Sequence, residues 1–301
     1  MRFIRNSFLF SLVGILISTS LLAQESNDQY NPNSIDPIPK YEHLFKRRVW
    51  MRIDLKEKQN KGFFAKNGEM SKLIIDAVKS GELADIYNSD SLTSKMTKDE
   101  FMKRLESAEA IPVDPYDPDY EYYEGDQVMY NGMGYTARYD LSPGTAPGSD
   151  GDSWEADPRM GKADIFFPSQ ISILRMMEDR IFDRRRSRLY YDIQCIQVIV
   201  PGSETPNGVD NYVAVFKYKD LEKVFRNHPN EAVWFNRYNS AENKNFADAF
   251  LLRLFHGVLV KVENPDDLDI VDIYLTRKEG VMASEWLELQ LMEKEHHLWE
   301  Y

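Results

Sequence analysis

Leu189-Tyr190-Tyr191-Asp192-Ile193-Gln194-Cys195-Ile196-Gln197-Val198-Ile199-Val200 is rich in β-branched and aromatic side chains. Such side chains fit a pleated, half-buried surface and read as a strand. A connection from Pro201 to Asp210 carries the breakers Pro201-Gly202 and Asn207-Gly208. Beyond it, Asn211 to Lys219 places Tyr212, Ala214, Phe216 and Tyr218 on one face at a period of two, which predicts a second, paired strand. Other segments have the helical period. Met70, Leu73, Ile74, Ala77 and Val78 form one apolar stripe, and Gly81 supplies a stop. Thr97 and Glu100 form a T-x-x-E capping box, with Met96 and Phe101 placed as a hydrophobic staple across it. The mixed order of strands and helices predicts an α+β fold of mixed α/β layers.

Outward from this core, the chain divides by composition. Residues 24–40 hold Asn31-Pro32-Asn33 and Asp36-Pro37-Ile38-Pro39 and read as a flexible lead-in. Residues 41–111 form an N-terminal α/β half, in which Leu44 to Leu55 is strand-like. Residues 112–161 hold 11 Asp and Glu against Arg138 and Arg159, with six Pro, seven Gly and seven Tyr. With so little aliphatic surface this stretch reads as a long acidic insertion, carrying at most a hairpin from Gln127 to Tyr130 and Tyr135 to Tyr139. Residues 162–301 form a C-terminal α/β half. There Ile171, Leu174, Met177 and Ile181 predict a helix running into Arg184-Arg185-Arg186. Further on, Phe246, Phe250, Leu254 and Val258 predict a helix and Val271 to Leu275 a strand. Ser284 is expected to cap a last helix with Trp286, Leu287 and Leu291. Phe45-Lys46-Arg47-Arg48, with Asp54 nine residues after Phe45, is echoed by Phe182-Asp183-Arg184-Arg185, with Asp192 ten residues after Phe182, a hint of weak duplication.

The 301 residues carry 37 Lys and Arg against 49 Asp and Glu, a net charge of −12, which argues against a nucleic-acid or anionic-lipid partner. Arg2 and Arg5 precede the apolar run Phe8 to Ile17 and a small-residue stretch ending at Ala23. This reads as a signal peptide, residues 1–23, cut before Gln24, and too short to span a bilayer. No Cys stands at the cut, so the expected product is exported without a lipid anchor of its own. The lone Cys195 lies in an apolar strand and reads as a packed core sulfur.

Chemistry is sparse. His43, His228, His256, His296 and His297 show no H-x-x-x-H spacing, and no G-x-S-x-G, phosphate loop or dinucleotide fingerprint occurs. Asp114, Asp117, Asp119, Glu121 and Glu124, or Asp150 and Asp152, offer oxygens to a Ca²⁺ ion, but no glycine stands in the required register, so a solvated loop is the plainer reading. The interleaved Tyr116, Tyr120, Tyr122 and Tyr123 suit a partner surface. Arg184, Arg185 and Arg186 are a candidate contact patch, or are paired within the chain by neighbouring acids and the acidic loop. Asp54 and Glu57, beside Arg52, Lys56 and Lys58, read as a charged face after a strand. No catalytic, metal-binding or cofactor-binding residue is assigned.

Arg48-Val49-Trp50-Met51-Arg52-Ile53-Asp54-Leu55-Lys56-Glu57-Lys58-Gln59-Asn60 resembles the hallmark segment of the gliding-motility GldN/PorN family, with Trp50, Arg52, Asp54, Glu57 and Asn60 as its most characteristic positions. The likeness continues through Leu73 to Gly81, Asp90-Ser91-Leu92-Thr93, the Arg-rich segment with its following strand, and Leu298-Trp299-Glu300-Tyr301. The resemblance implies a non-catalytic structural subunit of the type IX secretion machinery of Bacteroidetes. It implies a periplasmic ring at the inner face of the outer membrane, built of copies of this chain with the lipoprotein GldK/PorK, and meeting the periplasmic part of GldM/PorM. It implies no cofactor and no direct membrane span. An exported hydrolase with scattered site residues, or a binding module using the Tyr-rich loop, are the rival readings.

Overall fold

The computed structural model describes residues 30–107, 113–148, 152–157, 160, 165–274 and 276–299. The expected signal peptide, residues 24–29 of the lead-in, Asp150 and Glu300-Tyr301 lie outside the described residues. Strand β1 (His43–Asp54) is followed by the ribbon β2 (Phe64–Ala65) and β3 (Gly68–Glu69), then helix α1 (Met70–Ser80). Strands β4 (Ile86–Tyr87) and β5 (Lys95–Met96) lead to helix α2 (Lys98–Arg104). The acidic segment holds β6 (Gln127–Tyr130), β7 (Met133–Ala137) and β8 (Trp154–Asp157). Next come β9 (Ile173–Asp183), β10 (Arg188–Val200), β11 (Asn211–Lys217) and helix α3 (Tyr218–Asn227). The remainder is the ribbon β12 (Val233–Trp234) and β13 (Lys244–Asn245), helix α4 (Phe246–Leu251), strand β14 (Val258–Val262), and helices α5 (Ile270–Ile273) and α6 (Arg277–His297).

Seven strands form the main sheet in the order β14-β1-β9-β10-β11-β4-β5, with antiparallel neighbours. The fold is therefore α+β. Strands from before the insertion flank and interleave with strands from after it, so the two chain halves share one sheet. The sequence echo takes two conformations. Phe45 pairs across the sheet with Phe182, but Lys46 to Arg48 continue a strand while Arg184 to Arg186 lie in a turn.

Helix α1 and its Gly81 terminator, at φ 84°, match the sequence reading, and only a residue without Cβ adopts that angle cheaply. At α2 the Thr97 hydroxyl accepts from the Glu100 amide and the Glu100 carboxylate accepts from the Thr97 amide. Met96 and Phe101 are buried beside it as a staple.

Four local expectations are corrected. The predicted helix through Ile171, Leu174, Met177 and Ile181 is strand β9. It lies between β1 and β10 and is buried along nearly its whole length. A strand covered on both faces gives a continuous apolar run, and its chance i+3 and i+4 matches imitate a helix. Leu174 enters the main core, whereas Met177 joins Trp50 and Cys195 on the other face. The helix expected through Val258 ends at Leu251, because Arg253 turns into the left-handed region at φ 53°, and Val258 opens edge strand β14. The strand expected at Val271 to Leu275 is the helical turn α5, with Leu275 outside the described residues. Ile270 packs against α6 there, while Val271 and Ile273 are exposed, and the described residues offer no partner strand. The last helix is capped by Thr276, which accepts from the Glu279 amide, and not by Ser284. Ser284 lies mid-helix, where its hydroxyl donates to the Leu259 carbonyl. Thr276-Arg277-Lys278-Glu279 is itself a T-x-x-E start signal, stronger than the lone Ser284.

One face of the sheet carries the large core. Met51, Ile53, Leu174, Ile196 and Phe216 pack there against Leu73, Phe101, Leu221 and Phe250 from α1, α2, α3 and α4. The opposite face holds a smaller cluster of Trp50, Tyr87, Met177, Cys195 and Val215. Helix α6 covers β1 and β14 through Ala283 and Leu291 against Val49, Leu259 and Val262. In the insertion, β6-β7-β8 form a separate three-stranded sheet, one strand more than the expected hairpin. It encloses Tyr122, Val128, Ala137, Leu141 and Trp154. Counting aliphatic residues missed this cluster, because its buried area is aromatic.

Candidate interaction surfaces

Strand β1 and the turn after it hold the hallmark positions, and each ties down a different part of the chain. Trp50 is buried, its indole N–H donates to Asp90 Oδ2 at 2.7 Å, and Lys261 Nζ sits 4.4 Å from its ring centroid. Arg52 donates to Asp210 Oδ2 at 2.6 Å, while the Gly202 amide donates to Asp210 Oδ1 at 2.8 Å. Burial pushes the Asp210 carboxyl up, but the Arg52 and Gly202 hydrogen bonds outweigh it, so the carboxyl stays below its ordinary range. Asp54 Oδ1 accepts from the Lys56 amide at 2.8 Å. Asn60 is fully buried. Its side-chain amide donates to the carbonyls of Asp54 at 2.7 Å and His256 at 2.8 Å, and its Oδ1 accepts from the His256 amide at 2.7 Å. Glu57 Oε2 lies 3.0 Å from His256 Nδ1. The string is a clamp joining β1 to the loops around residues 90, 210 and 256. Every hallmark polar side chain named here already has a partner.

On β9, Glu178 and Asp179 point to opposite faces and both are fully buried. Glu178 is held by Arg253 at 2.7 Å and Arg180 at 3.1 Å. Asp179 accepts from Arg48 Nε at 2.6 Å and Nη2 at 2.9 Å, with Lys46 at 2.9 Å. Burial raises the Asp179 carboxyl, but the Arg48 and Lys46 hydrogen bonds win and hold it below its ordinary range. Directly across the strands lies Asp192, which burial pushes up to about 6. Two neighbouring carboxyls with separated affinities resemble an acid–base pair. However, Asp179 has no exposed surface and both its oxygens are engaged, so it cannot reach a substrate. Cys195 is equally closed, since burial pushes its thiol up to about 12 and leaves no thiolate.

Arg184, Arg185 and Arg186 form the exposed turn between β9 and β10. Arg186 pairs with Asp183 at 3.1 Å and Arg185 with Glu42 at 3.5 Å. Buried Asp183 also accepts from the Arg185 and Arg186 amides at 2.8 and 3.1 Å, so it caps the turn. The acidic insertion supplies none of the partners described for these arginines. Of the four tyrosines, Tyr122 is a core residue and not a contact residue. Its hydroxyl accepts from the Asp117 amide at 2.7 Å, and its ring packs 5.4 Å from Trp154. Tyr116 is half-buried against it, whereas Tyr120 and Tyr123 are 57% and 55% exposed. Asp114, Asp117, Asp119, Glu121 and Glu124 are all exposed. Among the described residues no group of three His, Cys, Asp or Glu side chains is placed to hold a metal ion.

A cleft of about 280 Å³ opens where the hallmark turn meets β12, and no local motif signals it. Its walls include Trp234, Phe235 and Tyr238, and Lys58, Lys61 and Arg237 also line it. The cations were visible in sequence, but nothing local links positions 58 and 237.

Residues 38–300 match the family described as gliding motility associated protein GldN. The chain belongs to the GldN family. Among curated proteins, none matches it. The match runs through the insertion, so the three-stranded acidic module lies within this GldN chain's family region. Among its described residues, no helix is long and apolar enough to cross a membrane.

Proposed function

We propose that this GldN-family chain is a non-catalytic structural subunit of the type IX secretion and gliding machinery. In this reading it is exported to the periplasm and held at the inner face of the outer membrane by the lipoprotein GldK/PorK. It forms a ring with further copies of itself and meets the periplasmic part of GldM/PorM. The family match over residues 38–300 carries the proposal. It is supported by the hallmark segment, whose polar side chains each hold another part of the fold through a hydrogen bond or ion pair. A large assembly of identical chains needs two different complementary patches on each copy. Exposed Arg184 to Arg186 and the acidic insertion are candidates. Fractionation of native envelope tests the reading, with the chain expected to co-purify with its lipoprotein in particles far above monomer size. A chain that stays monomeric and finds no envelope partner overturns it.

A further inference from the structure

The cleft between the hallmark turn and β12 is cationic in a chain whose net charge is −12. No carboxylate lines it, and neither Lys58 nor Lys61 enters an ion pair described here. The contact described for Arg237 is with the face of Tyr238, 5.3 Å from its centroid. The wall is built, not incidental. Trp234 lies so close over Gly62 that a Cβ there would stand 2.3 Å from the indole nitrogen, and the Phe235 amide donates to the Gly62 carbonyl at 2.9 Å. The indole N–H itself is buried and finds no hydrogen-bond partner among the described residues. Tyr238 and Phe235 are 87% and 48% exposed, an unusual surface for aromatic rings.

The same chain carries the complementary surface. Asp117, Asp119, Glu121 and Glu124 are exposed and enter no ion pair described here, and Tyr120 and Tyr123 stand out among them. No hydrogen bond, ion pair or ring contact described here joins this segment to the cleft within one chain. Aromatic walls with cations accept tyrosine rings flanked by carboxylates, through stacking, cation–π contact and charge-assisted hydrogen bonds.

We propose that the Lys58/Lys61/Arg237 cleft receives the acidic, tyrosine-bearing segment Asp117–Glu124 of a second copy, in a head-to-tail contact. The inference rests on the assembly reading for the presence of neighbouring copies. Such a heterologous contact uses one patch per side and propagates from copy to copy.

Sedimentation of the purified chain at low and high salt tests it. The wild type should associate with rising concentration, and less so at high salt. K58E/K61E/R237E should weaken association by at least about tenfold, and D117K/D119K/E121K/E124K should do the same. Mixing the two variants restores opposite charges across the contact and should restore association, with unchanged melting as the folding control. A mixture no better than either variant, or a wild type still monomeric at about 100 µM in low salt, overturns the proposal. Loss in the cleft variant alone assigns the cleft to a different acidic segment of the neighbouring copy and overturns it too. If the cleft variant still co-purifies with the lipoprotein in full-size particles, this contact fails while the assembly reading stands.

Discussion

Glu178 and Asp179 on β9 and the run from Asp114 to Glu124 in the insertion are both acidic, yet the first pair is fully buried and the five acids of the second are exposed. Asp179 is met by Lys46 and Arg48 from β1, and Glu178 by Arg253 from the loop after α4 and by Arg180 of its own strand, so the charges lock strand to strand and strand to loop. In the insertion the only ion pair described is Arg138 with Glu155, and order comes from stacked aromatic rings. Charge with buried partners determines the internal register of the sheet. The exposed acids from Asp114 to Glu124 enter no ion pair described here and fix no register.

The sharpest break of this contrast is Asp179→Ala. It removes a fully buried carboxylate and leaves Arg48 and Lys46, themselves partly solvated, without their partner, and should cost about 3 kcal/mol in denaturant unfolding, the lower end for a broken buried pair. Asn60→Ala should follow at about 3 kcal/mol, because three hydrogen bonds from a fully buried side chain to the backbone of Asp54 and His256 vanish together. In both, the urea midpoint should fall with little change in slope.

A pH series separates the two cross-strand aspartates. Asp192 holds its proton up to about pH 6 when folded but only to about pH 4 when unfolded, so the folded state binds more protons between these values. Stability should therefore fall as pH rises through that window, by about 2 kcal/mol, and Asp192→Asn should flatten this part of the profile. Asp179 works in the opposite sense. Its folded carboxyl is held low, so its contribution is present above the ordinary carboxylate range and lost as pH falls below it.

The smallest global effects belong to the insertion. Trp154→Ala should remove its near-ultraviolet signal and the amide protection of β6 to β8, yet shift the unfolding of the main sheet by less than about 1 kcal/mol. Replacing residues 113–160 by a short Gly/Ser linker should likewise leave a cooperative melt, since loop length costs only about 0.6 kcal/mol per doubling. A main sheet that unravels in either variant would show that the insertion's aromatic cluster also stabilises the rest of the fold.

The sequence by itself determined whatever depends on neighbours along the chain. The Thr97 capping box, the Gly81 stop, the β10–β11 pair and the buried Cys195 were legible because a few adjacent residues specify each one. Tertiary structure decided the rest. Ile173–Asp183 is a strand because β1 and β10 flank it, a fact absent from its own spacing. Arg185 and Arg186 met Glu42 and Asp183, not the acidic loop, because the β9–β10 turn points them there. Tyr122 went inside against Trp154 and Tyr120 stayed outside, although both are tyrosines among the same acids. Lys58 and Arg237, far apart in sequence, came to line one cleft only through the packing of β12 on the hallmark turn. Local chemistry acts over a few residues, whereas the side that a strand or turn presents is settled by what packs against it.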